Sequence, residues 1–337
     1  MSTFPEWLDR LTRHEDLSRD EAAAAMTTIM DGAASPAHIA GLLMGLALKG
    51  ERPREMVGFA SVMRDRAEPL PEPLGDVFDT CGTGGDGLHT FNVSTAAAIV
   101  LAGAGVRVAK HGNRAASSRC GSADVFEALG VRLDAAPAAV VRSVREAGLG
   151  FFFAQVWHPS MRHAGPTRRE LRVRTAFNLL GPLTNPARPA RQLVGVSRPE
   201  HTELIARTLG ELGSERAWVV YGADGLDELS TTGYTKVSEL RRGTVNTFYV
   251  HPVEAGLPVA SVRDLAGGTA AENADMIGRL LDGEPGPRRD IVVLNAGASL
   301  LVSGAAPSLA DGMARAQASL DSGRARAALA RMREVCG

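Results

Sequence analysis

The sequence has little lysine, little cysteine and no apolar run of membrane length. Among its 37 basic residues only Lys49, Lys110 and Lys236 are lysines, so each is a candidate for a task that arginine does not perform. The three cysteines are odd in number and lack C-x-x-C spacing, which predicts neither a disulfide framework nor a zinc site. The longest run of apolar residues and glycine, 96–106, is too short to span a bilayer.

An excess of charge is also missing. The formal net charge is −1, so no overall basic field is available to hold nucleic acid or an anionic membrane, although a local patch stays open. Residues 1–16 contain no signal-peptide h-region, and we expect a cytoplasmic protein. With 45% hydrophobic and 22% charged residues among 337, the composition is that of a soluble folded chain of about two domains, or one large domain with an appendage.

The first part of the chain is predicted to be all-helical. Residues 1–67 read as four helices, because apolar residues recur at helical spacing and Ser18 with Glu21 forms a capping box. The segment PLPEPLG, residues 69–75, has three prolines and predicts a connector. We therefore expect a small helical domain over residues 1–70, completed by helices around 165–182.

After the connector the pattern alternates between strands and helices. Short apolar segments such as DVFDT, VRVAK and RAWVVYG are each followed or preceded by helical stretches. This order predicts an α/β domain over residues 71–337, with a mostly parallel central sheet and flanking helices. From about Asn273 to Cys336 the sequence is mainly helical.

The stretch Gly82–Gly87 satisfies G-x-G-x-x-G after a predicted strand, but it does not indicate a nicotinamide site. The predicted helix begins near Ser94, well after the last glycine, and Lys110 stands where a ribose-binding acid would end the next strand. No Walker G-x-x-x-x-G-K-[ST] motif occurs either. A dinucleotide site is therefore disfavoured.

Two loops suited to phosphate follow consecutive predicted strands. The first combines glycine amides with polar residues at a helix start, where free N–H groups favour anions: Asn92, Ser94 and Thr95. The second offers cationic and hydroxyl side chains: Lys110, Arg114, Ser117, Ser118 and Ser122. Any one serine or glycine here is more readily explained as a turn or cap, but the whole set favours a ligand with phosphates at both ends.

These loops carry a family resemblance. GTGGD, the NVST helix start, KHGNRAASS and GSAD resemble the phosphoribosyl diphosphate loops of the anthranilate phosphoribosyltransferase family. The similarity continues in order through FFFAQVWHPSMRHAGPTRREL, RTAFNLLGPLTNPA and YGADGLDELS, and it covers most of the chain. It implies transfer of the phosphoribosyl group to anthranilate in the second step of tryptophan biosynthesis, by a magnesium-dependent homodimer that associates through its helical domain.

The resemblance also implies roles for individual residues. The large domain would bind phosphoribosyl diphosphate through Gly82, Gly85, Asp86, Thr90, Asn92, Val93, Ser94, Thr95, Lys110, His111, Gly112, Asn113, Arg114, Ala115, Ala116, Ser117, Ser118 and Ser122. Two Mg²⁺ ions per monomer would be held by Ser94, Asp227 and Glu228. Anthranilate would contact Gly82, Asn113, His158 and Arg168.

The chemistry of these residue types is consistent with that reaction. Mg²⁺ prefers oxygen ligands, and the adjacent carboxylates of Asp227 and Glu228 suit ions on either side of one diphosphate, although a bare acidic pair is commonly an exposed turn. A planar arginine fork such as Arg168 suits the acceptor carboxylate. An arylamine is already unprotonated at neutral pH, so we expect neither a covalent nucleophile nor a strong general base. Whether His111 and His158 contact substrate or only pack remains open.

Four positions depart from the family pattern: Gln155, Thr167, Arg172 and Tyr221. None removes a predicted ligand, but Gln155 and Thr167 flank the acceptor side, so acceptor affinity is the property they put in question. Two alternatives stay in competition. A pyrimidine nucleoside phosphorylase would need a base site instead of the pattern at Arg168, and a non-catalytic nucleic-acid-binding relative should have lost the loops and gained basic surface.

Overall fold

The computed structural model describes residues 3–115 and 119–337. Its N-terminal part consists of four helices, as predicted: α1 (Phe4–Thr12), α2 (Arg19–Met30), α3 (Pro36–Lys49) and α4 (Pro53–Asp65). The predicted capping box is present, because the amide of Glu21 donates to Ser18 Oγ at 3.2 Å and the amide of Ser18 donates to Glu21 Oε2 at 2.9 Å.

One of the three lysines stabilises this helical part. Lys49, only 1% exposed, lies at the end of α3 and donates from Nζ to Asp16 Oδ1 at 2.7 Å, and it lies 3.1 Å from the buried Glu55 carboxylate. The same carboxylate accepts from the amides of Leu17 at 2.9 Å and Arg52 at 2.8 Å. A buried charge with this many partners serves the fold, since each charged group is neutralised and hydrogen-bonded locally.

The second part of the chain forms a seven-stranded sheet in the order β3-β2-β1-β4-β5-β6-β7. Its strands are β1 (Phe78–Gly82), β2 (Val108–Gly112), β3 (Leu149–Phe153), β4 (Arg191–Gly195), β5 (Arg216–Gly222), β6 (Thr235–Arg241) and β7 (Thr244–Val250). The first five are parallel, and β6 and β7 pair antiparallel to β5 and to each other. The predicted mostly parallel sheet is confirmed.

The hairpin β6–β7 was not predicted. Its two-residue turn is formed by Arg242 and Gly243, both with positive φ, of 50° and 76°. Positive φ at both central positions matches the twist of a hairpin, and glycine at the second position favours it. The alternating segments on each side of RG therefore held a signal for the hairpin.

Helices cover both faces of the sheet. Those after α4 are α5 (Val93–Gly103), α6 (Ser122–Ala128), α7 (Pro137–Glu146), α8 (Ala154–Trp157), α9 (Gly165–Leu171), α10 (Ala176–Leu180), α11 (His201–Glu211), α12 (Ala270–Leu281), α13 (Pro287–Val302), α14 (Leu309–Asp321) and α15 (Arg324–Cys336). Short 3₁₀ turns cover Pro159–His163, Gly181–Leu183 and Val262–Leu265. No helix among the described residues is both long and apolar enough to cross a bilayer.

Two hydrophobic cores lie on opposite faces. One joins the C-terminal helices and α5 to one face of the sheet, through residues such as Leu193 and Trp218. The other joins α1–α4, α10 and α11 to the opposite face, where Val194 and Val219 are buried. Successive strand residues alternate between the two cores, as expected for side chains of period two. The helical part thus shares its core with the sheet, and the division of the chain at residues 70 and 71 stays a prediction.

The strand order locates the crevice. β1 is flanked by β2 on one side and by β4 on the other, so the chain reverses its direction of travel across the sheet at β1 and β4. In sheets of this kind, ligands bind at such a switch point, outside the carboxyl ends of the strands. Gly82 and Gly195, the last residues of β1 and β4, are direct partners at this edge.

Candidate active site

The glycine-rich loop after β1 folds over the carboxyl edge of the sheet. Gly84, Gly85 and Gly87 have φ of 66°, 74° and 74°, a region that favours glycine because a Cβ would be strained there. The amide of Gly84 donates to Asp227 Oδ2 at 2.8 Å. A Cβ at Gly82 would overlap the same carboxylate, so the loop after β1 and the loop after β5 touch directly.

Helix α5 begins under this loop. Asn92 occupies its N-cap position, and the buried Val93 and Thr95 fix its first turn. The amide of Ser94 donates to Glu228 Oε1 at 3.0 Å, so a carboxylate already lies at the helix N-terminus, where the helix dipole favours negative charge. The fold therefore brings together Ser94 and Glu228, which are predicted as metal ligands. Thr90, which precedes α5 in the chain, forms an isolated β-bridge with Ala266.

Asp227 and Glu228 are adjacent acidic residues whose side chains are largely buried at the site. Burial raises the pKa of Asp227 above its ordinary value, and the nearby Asp86 adds to the shift. Burial also raises the pKa of Glu228, and the charge of Asp227 raises it further. Within residues 3–115 and 119–337, no Lys, Arg or His nitrogen lies within ion-pair distance of either carboxylate. Adjacent carboxylates with raised pKa values form a site that a cation would stabilise.

Lys110 lies below the loops at the end of β2. Its side chain is 1% exposed, its Nζ donates to the carbonyl oxygen of Thr80, and Nζ lies 3.3 Å from Ser94 Oγ. Its charge also favours the ionised form of Glu228. Lys110 therefore lies at the site but faces β1 and α5 from beneath, and its contact with a phosphate stays a prediction.

Buried polar residues brace the ends of β1 and β2. The carboxylate of Asp79 accepts from the amide of His111 at 3.1 Å and from Asn185 Nδ2 at 2.8 Å. Asn185 Nδ2 also donates to the carbonyl of Ala109 at 2.7 Å. Sequence reasoning missed Asp79 and Asn185, whose partners are remote in the chain. They hold the two loops in a fixed relation.

The second predicted loop follows β2 and leads into α6. The amide of Ala115 donates to Asp124 Oδ2 at 3.0 Å, and Ser122 Oγ lies 3.4 Å from the Asn113 carbonyl. A Cβ at Gly112 would overlap Ser122 Oγ, so the loop is closely packed. Ala116, Ser117 and Ser118 lie outside the described residues.

Arg114, predicted to contact phosphoribosyl diphosphate, is paired with two carboxylates. Its guanidinium lies 2.9 Å from Asp124 and 2.8 Å from Glu127, on the outer side of α6. These two carboxylates already neutralise its charge. Its phosphate contact stays a prediction, and Asn113, exposed beside it, accepts from the Arg114 amide through Oδ1 at 2.8 Å.

The residues predicted to bind the acceptor lie on α9 and in the segment after β3. Arg168 on α9 places its guanidinium 4.9 Å from the ring centroid of Phe177, and burial lowers its pKa. In the described parts of the chain its guanidinium has neither a carboxylate partner nor a hydrogen bond. A largely buried guanidinium without a counter-ion is suited to bind an anionic group. Arg169, the next residue, is exposed.

His111 and His158 pack against each other at their rings. Their ring centroids are 5.2 Å apart in an edge-to-face arrangement, and both rings are buried. His111 Nδ1 lies 2.9 Å from the Gly181 carbonyl, whereas Nε2 of each ring is buried without a hydrogen-bond partner in the described structure. Burial lowers the pKa of His111 to about 3 and that of His158 to about 4. Both rings are therefore neutral and have an unused polar atom.

Sequence reasoning also missed Arg174. It lies between α9 and α10, far from the glycine-rich loop in the chain, and a Cβ at Gly85 would overlap its Nη1 atom. No local motif signalled this contact, because it depends on how the helical part packs over the loop.

Comparisons with known proteins match this architecture over nearly the whole chain. Residues 5–67 match the model described as the helical bundle domain of a glycosyl transferase family, and residues 74–326 match the one described as the a/b domain of a glycosyl transferase family. A curated anthranilate phosphoribosyltransferase from Moorella thermoacetica is 53% identical over 325 residues, covering 96% of this chain and 96% of that protein.

Solved structures of the same name are similar in fold. Anthranilate phosphoribosyltransferase from Thermus thermophilus superposes with a TM-score of 0.92 at 46% identity, covering 98% of this chain and 99% of that one. The Saccharomyces cerevisiae protein, solved in complex with PRPP (phosphoribosyl diphosphate) and Mg, has a TM-score of 0.88 at 26% identity, covering 99% of this chain and 97% of that one.

Proposed function

The chain belongs to the anthranilate phosphoribosyltransferase family, and on that premise we propose that it binds phosphoribosyl diphosphate at the carboxyl ends of β1 and β2, and anthranilate beside Arg168. The reaction of this family transfers the phosphoribosyl group to the amine of anthranilate. The products are N-(5-phosphoribosyl)anthranilate and diphosphate, in the second step of tryptophan biosynthesis from chorismate.

The observation that carries the proposal is the pair Asp227 and Glu228, whose carboxylates have no ion-pair partner among residues 3–115 and 119–337. They lie against the glycine-rich loop and the N-terminus of α5, where a diphosphate would bring further negative charge. A cation between the groups would stabilise such an arrangement, and oxygen ligands of this kind suit Mg²⁺. The residues present therefore fit the ion that accompanies PRPP in the yeast relative.

We propose two Mg²⁺ ions per monomer, held by Ser94, Asp227 and Glu228. In the described residues no three His, Cys, Asp or Glu side chains come together as a ligand set. Water and the diphosphate oxygens would complete the coordination, which is the usual arrangement for Mg²⁺ bound through one or two carboxylates. When bound, the metal would neutralise charge on the departing diphosphate.

The phosphates of the donor would lie at the two loops. The first set of contacts comprises Gly82, Gly85, Asp86, Thr90, Asn92, Val93, Ser94 and Thr95. The second comprises Lys110, His111, Gly112, Asn113, Arg114, Ala115, Ala116, Ser117, Ser118 and Ser122. Support comes from the left-handed glycines of the first loop, which allow an anion to approach the main chain closely.

The acceptor would lie between Arg168, His158, Asn113 and Gly82. Arg168 offers a guanidinium without a counter-ion, and the neutral imidazoles of His158 and His111 offer unused Nε2 atoms without adding a charge. The chain's contribution to the reaction is then binding and orientation: the unprotonated amine is held facing the ribose carbon, and neither a covalent nucleophile nor a strong general base is required.

A product assay tests the whole proposal. Purified protein with phosphoribosyl diphosphate and Mg²⁺ is expected to consume anthranilate, which is followed by the loss of its fluorescence. One diphosphate is expected to be released for each anthranilate consumed. Two parallel reactions cover the alternatives, one with uridine and phosphate for nucleoside phosphorolysis and one with labelled oligonucleotide for binding. Phosphorolysis of uridine, or binding of the oligonucleotide, without turnover of anthranilate would contradict the proposal.

We also propose a cytoplasmic homodimer that associates through the helical part, with residues 1–70 and helices around 165–182 as a small domain and residues 71–337 as the large one. Two exposed apolar side chains on the helical side, Leu48 at 75% and Val173 at 49% exposure, are consistent with a further contact there. Sedimentation velocity tests this, and a single species with the mass of one chain would contradict it.

A further inference from the structure

Arg174 reaches from the segment between α9 and α10 onto the glycine-rich loop. Gly85 has a φ of 74°, and a Cβ there would overlap the Arg174 guanidinium as it is placed. The guanidinium therefore lies directly on the main chain of the loop that is proposed to hold phosphate.

The guanidinium has no partner of its own in the described residues. No hydrogen bond and no carboxylate within ion-pair distance is present, and Nη2 is fully buried. Two other partly buried arginines differ in this respect: Arg64 donates to the Leu183 carbonyl at 2.6 Å, and Arg216 lies 3.0 Å from Glu239. Leaving a buried guanidinium nitrogen unpaired is costly, which indicates that its partner is a ligand.

The charges around Arg174 indicate where that ligand lies. Asp227 and Asp86 favour its protonated form, whereas burial and the nearby Arg198 oppose it and lower its pKa. Arg198 follows β4. Burial lowers the pKa of His201, at the start of α11, and the charge of Arg174 contributes to the same shift. Arg174 thus lies against the glycine-rich loop and near the segment that follows β4, which is the β4 side of the switch-point crevice.

We propose that Arg174 binds the diphosphate group of phosphoribosyl diphosphate from the β4 side. This inference rests on the proposed function. In the transfer, the bond between ribose C1 and the diphosphate oxygen breaks with its electron pair going to that oxygen, and the amine nitrogen bonds to C1 and releases its proton to water. Arg174 donates hydrogen bonds to the diphosphate oxygens as they gain negative charge, which assists departure of the leaving group.

Calorimetry with inorganic diphosphate and Mg²⁺ measures this contact directly. Arg174→Gln is expected to weaken binding of diphosphate and of phosphoribosyl diphosphate by roughly 10- to 100-fold, as for loss of a hydrogen bond to a charged group. Arg174→Lys, which keeps the charge and loses the planar fork, is expected to lie between Gln and the parent protein. Ribose 5-phosphate, which lacks the diphosphate, is expected to bind all proteins equally.

The matched control is Arg172→Gln, two residues away, whose side chain is exposed. It removes the same charge and is expected to leave diphosphate affinity unchanged. In steady-state kinetics Arg174→Gln is expected to raise the KM for phosphoribosyl diphosphate and to leave the KM for anthranilate unchanged at saturating donor, a split that general damage would not produce.

Two results would overturn the inference. If Arg174→Gln and the parent protein bind diphosphate equally while both transfer phosphoribosyl groups, Arg174 is not a diphosphate ligand and the proposed function stands. The same conclusion holds if the variant loses ribose 5-phosphate and diphosphate affinity by equal factors. A parent protein that neither binds diphosphate with Mg²⁺ nor turns over anthranilate would instead remove the proposed function, and the role of Arg174 with it.

Discussion

The helical part and the crevice both bury charged side chains, and they satisfy them to different degrees. In the helical part, the buried Lys49 and Glu55 are paired with each other, and Asp16 and two main-chain amides complete their contacts. In the crevice, Asp227 and Glu228 are held by main-chain amides but have no cationic partner, and Arg168 and Arg174 have no anionic one in the described structure.

The difference separates structural charge from functional charge. A buried ion pair whose members satisfy each other costs the protein little further free energy, whereas separated buried charges of either sign remain costly until a ligand arrives. In the described structure the crevice contains two carboxylates without a cationic partner, those of Asp227 and Glu228. It also contains two guanidinium groups without an anionic partner, on Arg168 and Arg174. Metal, diphosphate and the acceptor carboxylate together supply those partners.

The largest effect is expected for the double substitution Asp227→Asn with Glu228→Gln. It preserves shape and removes both proposed metal-ligand charges, so turnover is expected to fall by roughly a hundredfold or more, consistent with loss of several kcal/mol of stabilisation by the metal. Without Mg²⁺ the melting temperature is expected to stay level or rise, because two buried charges disappear. Turnover with an unchanged dependence on Mg²⁺ would show that the metal lies elsewhere.

Glu55→Gln likewise replaces a buried carboxylate by an amide, but in the helical part. It is expected to lower the stability of the protein and to leave its activity unchanged. It leaves Lys49 buried without its buried carboxylate partner, so the free energy of unfolding is expected to fall by about 3 to 5 kcal/mol. Urea denaturation followed by circular dichroism measures the loss, and activity per folded molecule at low temperature is expected to match the parent protein. An unchanged denaturation midpoint would mean that Asp16 alone is enough to neutralise Lys49.

Arg168→Ala removes a crevice cation with no counter-ion. The KM for anthranilate is expected to rise by roughly 10- to 100-fold, as for loss of a charge-assisted hydrogen bond of about 1.5 to 3 kcal/mol, with donor binding unchanged. Steady-state kinetics with anthranilate and with aniline separates the cause, since aniline has no carboxylate and should be used poorly but equally by both proteins. The exposed neighbour Arg169→Ala serves as control. Equal losses on both acceptors would assign Arg168 to the fold.

The same comparison explains what the sequence could and could not predict. The two loops, the start of α5 and the capping box at Ser18 are local patterns of glycine, hydroxyl and acidic residues, and they were recognisable without a structure. Periodicity likewise predicted the parallel strands and the four N-terminal helices. The hairpin β6–β7 was missed although its Arg242–Gly243 turn carried a signal.

Contacts between distant segments could not be read in this way. Asn185 bonds Asp79, and Arg174 lies on Gly85, only because the sheet and the helical part bring them together. Whether a buried charge has a partner also depends on packing. Lys49 and Lys110 are two of the three lysines, and the sequence does not distinguish them. In the described structure Lys49 has two carboxylate partners, whereas Lys110 contacts a carbonyl and a hydroxyl oxygen. The local motifs identify the crevice, and the folded contacts identify its unsatisfied groups.

The smallest expected effect is on pH dependence, through the neutral histidines of the crevice. Burial lowers the pKa of His158 to about 4, whereas in the unfolded chain it titrates near the ordinary value of about 6.5. Below that value the unfolded state binds the proton and the folded state does not, so stability is lost as the pH falls from about 6.5 towards 4. Between pH 7.5 and 5.5 this histidine alone is expected to cost about 1.3 kcal/mol. His158→Gln should reduce the fall in unfolding free energy over that range by this amount, as measured by urea denaturation at each pH. If His158→Gln shows the parent's full pH dependence, His158 is charged or solvated in the folded protein, and the crevice is not the neutral acceptor surface that its two histidines indicate.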